Sequence, residues 1–267
     1  MTLPATDTLK LDLNGPTLHI TLNRPEARNA MSLAMVNELM AVFDAVADDT
    51  SVRAIVLRGA EGHFCAGGDI KDMAGARARA ASGDANAFRD LNRRFGDMIT
   101  RANQQPQVIV AVLEGAVLGG GFGLACVSDV ALAAEDAQFG LPETGLGVIP
   151  AQIAPFVVQR VGLTQARRLA LTGARFNGSE AARLGIAHES LPKAELDARL
   201  DAVLGQIRRC APQANRQTKA LVLNTLTHPL EQVLDAAADD FAAAVAGAEG
   251  AEGTMAFVQK RLPNWAE

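Results

Sequence analysis

Two glycine clusters and one carboxylate carry the residue types and spacing that can do chemistry in this chain. Gly119-Gly120-Gly121 lies between an apolar run, Gln107 to Leu113, and a second one from Phe122 to Cys126. Glycines at a strand-to-helix turn let a ligand approach backbone N–H groups closely, and the positive end of the following helix attracts negative charge. A dinucleotide fingerprint needs a third glycine at the sixth position, which is Leu124, and a phosphate loop needs Lys where Phe122 stands. With both excluded, the cluster is either a tight packing turn or a backbone donor aimed at something small and negative. The second cluster, Phe64-Cys65-Ala66-Gly67-Gly68-Asp69-Ile70-Lys71, follows a strand-like run, Val52 to Leu57. If each cluster supplies one N–H to the same oxygen, the pair is an oxyanion hole, in which one donor is worth about 3 kcal/mol of barrier.

Other reactive groups read as structural. His63 stands beside the first cluster, but no Ser or Cys nucleophile with a base and an orienting acid is recognisable. Glu114 reads as a buried structural carboxylate and Asp129 as a turn anchor. Cys65, Cys126 and Cys210 are widely spaced without a Cys-x-x-Cys pair, so neither a disulfide framework nor a zinc site is expected.

The elements that must position these groups follow from periodicity. Leu9, Leu11 and Leu13, then Leu18, Ile20 and Leu22, alternate with polar residues across Asn14-Gly15-Pro16, which predicts a β-hairpin. Met35, Leu39, Val42, Phe43 and Val46 predict a helix face with Ser32 as N-cap. Gly59 to Met73 reads as a loop and Ala74 to Asp84 as a mobile surface segment. Phe88 to Ile99 reads as a helix, Phe122 to Cys126 as a buried helix and Val130 to Ala134 as a strand. Strand, helix and strand recur, so an α/β layered core with right-handed crossovers is expected. Helical spacing dominates after about Pro150, giving a core over 1–200 and a helical region over 201–267.

Of the 267 residues, 49% are hydrophobic and 21% charged, which excludes a disordered chain. A formal net charge of -5 argues against nucleic-acid binding, while a few placed cations and amides still suffice for an anionic ligand. The start of the chain has no basic or apolar leader pattern and no stretch reaches the length of a membrane span. No membrane association and a cytoplasmic location are therefore expected.

Five segments together resemble the crotonase, or enoyl-CoA hydratase/isomerase, superfamily. They are Asn23 to Ser32, Phe64 to Met73, Gly115 to Gly121, Gln138 to Glu143 with Gly145 to Pro150, and the tail from Glu252 through Pro263. Their order and spacing cover nearly the whole chain. The resemblance implies a crotonase-like fold, a ββα superhelix with a helical C-terminal region used in trimer formation, and assembly as a homotrimer or a dimer of trimers. It implies that a coenzyme A thioester is the substrate and that no cofactor is bound permanently. Gly68 and Gly120 would donate their N–H groups to the thioester oxygen. Ala66, Asp69, Ile70 and Lys71 would lie along the pantetheine and adenine end. Arg28, Ala30, Phe257 and Lys260 are further coenzyme A candidates, the last two through a neighbouring subunit.

In the hydratases of that superfamily two glutamates flank the acyl chain. One corresponds to Glu143, whereas the other would fall at Gly123, so half of the pair is missing here. Glu143 in an apolar cleft would have a raised pKa suited to proton transfer. The form Ala151-Gln152-Ile153-Ala154-Pro155-Phe156-Val157, together with Gly123, resembles bacterial hydratases of methylglutaconyl- and isohexenylglutaconyl-CoA. That resemblance implies an enoyl-CoA hydratase for a branched substrate, with Gly123 leaving room for the branch. Arg77 and Arg79 are candidates for the substrate's distal carboxylate. The alternatives are a Δ3,Δ2-enoyl-CoA isomerase using Glu143 alone and a non-catalytic acyl-CoA-binding relative.

Overall fold

The computed structural model describes residues 2–266. β1 (Leu9–Asn14) and β2 (Thr17–Leu22) form the predicted antiparallel hairpin, with Leu18, Ile20 and Leu22 buried. β3 (Ala54–Gly59), β4 (Val108–Leu113), β6 (Val130–Ala134) and β9 (Glu189–Leu191) extend it in parallel, giving the order β1-β2-β3-β4-β6-β9. Helices cover both faces of a parallel sheet, so its strands must be apolar throughout. Ala54 to Leu57, Ile109 to Leu113 and Ala131 to Ala134 are accordingly buried. β5 (Ala116–Leu118), β7 (Gln138–Gly140) and β8 (Arg175–Phe176) form a second, three-stranded sheet.

α1 (Leu33–Val46) links β2 to β3, and Ser32 caps it by accepting the Met35 N–H at 3.2 Å. α2 (Ile70–Ala81) and α3 (Ala87–Gln104) link β3 to β4. The segment from Ala74 to Asp84, expected to be a mobile surface stretch, lies mostly within α2. Asp69 caps that helix by accepting the Lys71 N–H at 2.7 Å, and its alanines and arginines favour a helix despite Gly75. α4 (Gly120–Val127) is buried from Gly121 onwards. Phe122 holds it on the small sheet through edge-to-face contacts with Phe139 and Phe176, at ring separations of 6.3 and 6.2 Å.

α5 (Ala154–Thr172) is broken at Gly162, and α6 (Gly178–Arg183) follows β8. α7 (Leu196–Arg209) runs across residue 200 and buries Leu200, Val203, Leu204 and Ile207 in the core. α8 (Pro212–Asn224), α9 (Leu230–Ala246) and α10 (Ala248–Val258) complete the chain. Cations fasten α8 to the core. Arg216 donates to the Ala47 carbonyl, and Lys219 donates to the Gln107 carbonyl and pairs with Asp129 at 2.7 Å. Asp129 also accepts the Ile109 N–H at 2.7 Å, so one carboxylate ties α8 to the start of β4.

Asp129 is 28% exposed and its partner Lys219 only 12%. Replacing Asp129 by Ala leaves a buried ammonium unpaired, with an expected cost of about 2 kcal/mol, between the values for exposed and fully buried pairs. Urea denaturation should show Lys219→Met costing less than Asp129→Ala, because the carboxylate left behind is the more exposed partner and still accepts the Ile109 N–H.

Candidate active site

The first glycine loop changes its hydrogen-bonding partner midway. Phe64 and Cys65 pair with the residues around β5: the Phe64 N–H donates to the Glu114 carbonyl, the Cys65 N–H to that of Ala116, and the Leu118 N–H to that of Cys65. From Ala66 onwards the loop pairs instead with the Arg28–Met31 stretch. The Ala66 N–H donates to the Arg28 carbonyl at 3.0 Å, the Met31 N–H to that of Gly67 at 2.8 Å, and the Asp69 N–H to that of Met31 at 3.0 Å. Gly67, at φ 109°, makes the switch, a conformation side chains resist. Since Gly67 and Asp69 both face Met31, the Gly68 N–H points the opposite way. Gly68 is exposed, and among the described residues its N–H has no acceptor.

The second loop meets the first at Gly119. A methyl group there would sit 3.5 Å from the Gly67 Cα and 2.9 Å from Glu143 Oε1, and Gly119 is itself left-handed at φ 49°. Its N–H donates to the Gly140 carbonyl at 3.1 Å. Gly120 then opens α4 without a side-chain cap, so among the described residues its N–H is a first-turn donor with no acceptor. Both glycine loops and the Glu143 carboxylate thus converge on one Cα.

Glu143 is half-buried, and its Oε2 is buried without a hydrogen-bond partner. Burial raises its pKa above the ordinary glutamate value of 4.5, against opposing effects of its own backbone N–H and of Arg175. Glu114 has the opposite environment: it is buried, but pairs with Arg58 at 2.8 Å and Lys193 at 3.1 Å. His63 Nδ1 accepts the Ala116 N–H at 3.1 Å and so braces the two loops. Burial pushes the Cys65 thiol up to about 11 and the Cys126 thiol up to about 12, leaving neither as a thiolate nucleophile. Among the described residues no group of three or more His, Cys, Asp or Glu side chains is arranged to hold a metal ion.

The ligand candidates separate into two groups. Arg28, Ala30, Ala66, Gly68, Ile70 and Lys71 adjoin one another through the Arg28–Met31 pairing, with Ile70 83% exposed and Lys71 and Arg28 also exposed. Asp69, expected on the ligand, has its carboxylate committed inside the protein to Arg24 and to the cap of α2. Phe257 and Lys260 lie exposed at the end of α10. Arg79 is paired with Asp84 at 2.7 Å, whereas Arg77 is exposed.

Gly123 corrects an expectation. It leaves no room for a substrate branch, because Ile153, only 3% exposed, fills the space: a methyl group at 123 would lie 2.4 Å from Ile153 Cγ2 and 3.4 Å from Ile99 Cδ1. One turn earlier the Phe95 ring similarly closes over Gly120, 3.0 Å from a methyl position there. Sequence reasoning assigned no role to Phe95, Ile153, Arg24 or Arg175. The i, i+4 pair Phe95 and Ile99 was a signal for the first, since the matching helix offers glycines at i, i+3.

The fold and the site define a class. The family model described as enoyl-CoA hydratase/isomerase matches residues 13–267, and the chain belongs to that family. Its α/β architecture with C-terminal helices is the crotonase fold. The structure of Pseudomonas aeruginosa AtuE superposes with a TM-score of 0.95 at 65% identity, covering 98% of this chain and 100% of that one. The mevalonyl-coenzyme A hydratase sidH of Aspergillus fumigatus is 32% identical over 94% of this chain and 92% of its own. The peroxisomal Delta(3,5)-Delta(2,4)-dienoyl-CoA isomerase of Arabidopsis thaliana is 30% identical over the full length of both.

Gly67→Ala should cost about 1–3 kcal/mol through its left-handed backbone, whereas Gly68→Ala, which meets nothing within 4 Å, should stay near wild type. Gly123→Ala should cost about 1–3 kcal/mol by overpacking against Ile153. Thermal unfolding of the three variants checks both expectations.

Proposed function

We propose that the protein is an enoyl-CoA hydratase that adds water across the C2=C3 bond of a 2-enoyl-CoA. The observation that carries this reading is the approach of the partly buried Glu143 carboxylate, whose pKa burial raises, to Gly119, which adjoins Gly120 in the chain and lies near Gly67, the neighbour of Gly68. Those two amides would hold the thioester oxygen, where negative charge develops as a nucleophile attacks C3. The Glu143 carboxylate would take a proton from water as the hydroxide oxygen bonds to C3, and electron density would move onto the thioester oxygen. The resulting Glu143 carboxyl would return that proton to C2, so H and OH are both added and the enzyme is restored. The emerging helix dipole of α4 would add to the field at the oxygen.

The acyl group is proposed to be branched at C3, of the 3-methylglutaconyl or isohexenylglutaconyl type. The similarity to a mevalonyl-CoA hydratase supports this, since a mevalonyl group carries hydroxyl and methyl on C3. Leu146, Val148 and Ile149, exposed just after Glu143, supply apolar surface for the branch, and Arg77 is a cation for a distal carboxylate. The coenzyme A moiety would lie along Arg28, Ala30, Ala66, Ile70 and Lys71. Exposed Leu230, Leu234, Phe241 and Val245 on α9 support assembly as a homotrimer or a dimer of trimers, through which Phe257 and Lys260 would reach a neighbour's ligand. No helix among the described residues is long and apolar enough to cross a membrane, and a cytoplasmic location is part of the proposal.

A second reading, a Δ3,Δ2-enoyl-CoA isomerase, is favoured by one observation: position 123 carries no carboxylate and Ile153 packs into the space beside it, which leaves Glu143 as the proposed proton carrier on its own. Absorbance of the enoyl thioester distinguishes the readings. Crotonyl-CoA or 3-methylglutaconyl-CoA losing absorbance supports hydration, a 3-enoyl-CoA gaining it supports isomerisation, and binding without turnover supports a non-catalytic relative.

Glu143→Gln should abolish turnover with coenzyme A affinity nearly unchanged; surviving activity would refute the role of Glu143. Because the folded carboxyl titrates above 4.5, kcat/KM should rise with pH through an inflection above that value. The stability of wild type relative to Glu143→Gln should fall over the same window, since the cost of burying the ionised carboxylate exceeds the help of Arg175 and of its own backbone N–H.

A further inference from the structure

Arg24 lies outside the groups that would touch substrate, yet it reaches the loop that carries Gly68. Its side chain is 16% exposed and, beside a longer 3.8 Å pairing of Nε with the exposed Glu26, makes two directed contacts, Nη1 to the Ala30 carbonyl at 2.6 Å and Nη2 to Asp69 Oδ2 at 2.6 Å. Asp69 is 8% exposed, and its other oxygen accepts the Lys71 N–H, so one carboxylate joins Arg24 to the first turn of α2. The Asp69 carboxyl is held below the ordinary value: burial pushes it up, but the Lys71 N–H and Arg24 together outweigh that. The pair therefore stays ionised through neutral pH.

Arg24 is itself fixed from behind. Its N–H donates to Asn29 Oδ1 at 2.9 Å, and the buried Asn29 amide donates to the Ala60 and His63 carbonyls at 2.9 and 2.6 Å. Arg28 and Asn29 are both left-handed, at φ 48° and 56°, a strained arrangement that these bonds hold in place. Asp72 adds a second tie from α2 by accepting the Leu33 N–H. Gly68 sits between the anchored residues: Gly67 and Asp69 are both bonded to Met31, and Asp69 is also gripped by Arg24. The peptide that carries the Gly68 N–H is held on the Gly67 side by the Met31 N–H, which donates to the Gly67 carbonyl at 2.8 Å, and Arg24 with Asp69 supplies the hold on its other side. A buried ion pair adds little net stability over apolar packing, but its directed, charge-assisted bonds fix orientation.

We propose that Arg24 is a positioning residue for the Gly68 N–H, acting through its ion pair with Asp69. This rests on the reading of Gly68 as an oxyanion donor. A rotation of the Gly68 peptide away from the thioester oxygen would weaken polarisation of the carbonyl without removing any coenzyme A contact. Arg24→Met should lower kcat about 100-fold, the scale of losing one donor, with KM changed less than threefold. Arg24→Lys, which restores the charge but not the forked geometry, should recover part of the loss.

The decisive readout is the carbonyl stretch of a thioester-labelled crotonyl-CoA bound to full-length protein, measured by isotope-edited infrared spectroscopy in a Glu143→Gln background to prevent turnover. The reference should shift the band to lower frequency, Arg24→Met should reverse most of that shift, and Arg24→Lys should fall between. A reference shift that persists unchanged in Arg24→Met overturns the proposal alone. A reference without any shift overturns the reading of Gly68 and Gly120 as well. If Arg24→Met fails to fold, as judged by circular dichroism, Asp69→Asn carries the same comparison, since it keeps an acceptor for the cap while weakening the pair. An unchanged band in that variant overturns the proposal.

Discussion

The close approach of three backbone segments at Gly119 is the constraint on which the site depends. A side chain at this position would collide with Glu143 while meeting Gly67 at an ordinary contact distance, and its backbone sits in a region that L-residues resist. The missing Cβ therefore admits the acid and permits the left-handed turn. Gly119 is also the last residue before α4, so the same point fixes where the helix begins. Burial of α4 and the aromatic contacts of Phe122 hold that start in place.

Two glutamates show how environment separates residues of one type. Glu114 is more deeply buried than Glu143, yet Arg58 and Lys193 neutralise it and it acts as a cross-link between β3, the start of β5 and the segment before α7. Glu143 has one oxygen buried without a partner, and no ion pair forms on it among the described residues. Its desolvation outweighs the opposing effects of its own backbone N–H and of Arg175, which lifts its pKa above the ordinary glutamate value. A single such group suits chemistry that returns the proton it removes. That economy matches the packed state of Gly123, where Ile153 leaves no space for a second acid.

Much of this was legible along the chain. The hairpin, the buried parallel strands and the cap of α1 follow from local alternation and from Ser32, because each is decided by residues a few positions apart. α2 was not legible, since its composition lacks an apolar stripe and its cap, Asp69, reads equally well as part of a loop. The space beside Gly123 was misread for a related reason. A glycine in a sequence signals an absent side chain, and which neighbour fills the gap is settled by segments thirty residues away.

The glycines, Glu143 and their order along the chain belong to the sequence alone, and they suffice to indicate two backbone donors and one acid. Local rules extend only a turn or two along the backbone. They could not convey that Gly67, Gly119 and Glu143 share one point, that Asp69 is spent on Arg24, or that Glu114 is neutralised. Those outcomes depend on which long-range partners fold against each group, and for ionisable side chains it is the partners and the depth of burial that fix charge and reactivity.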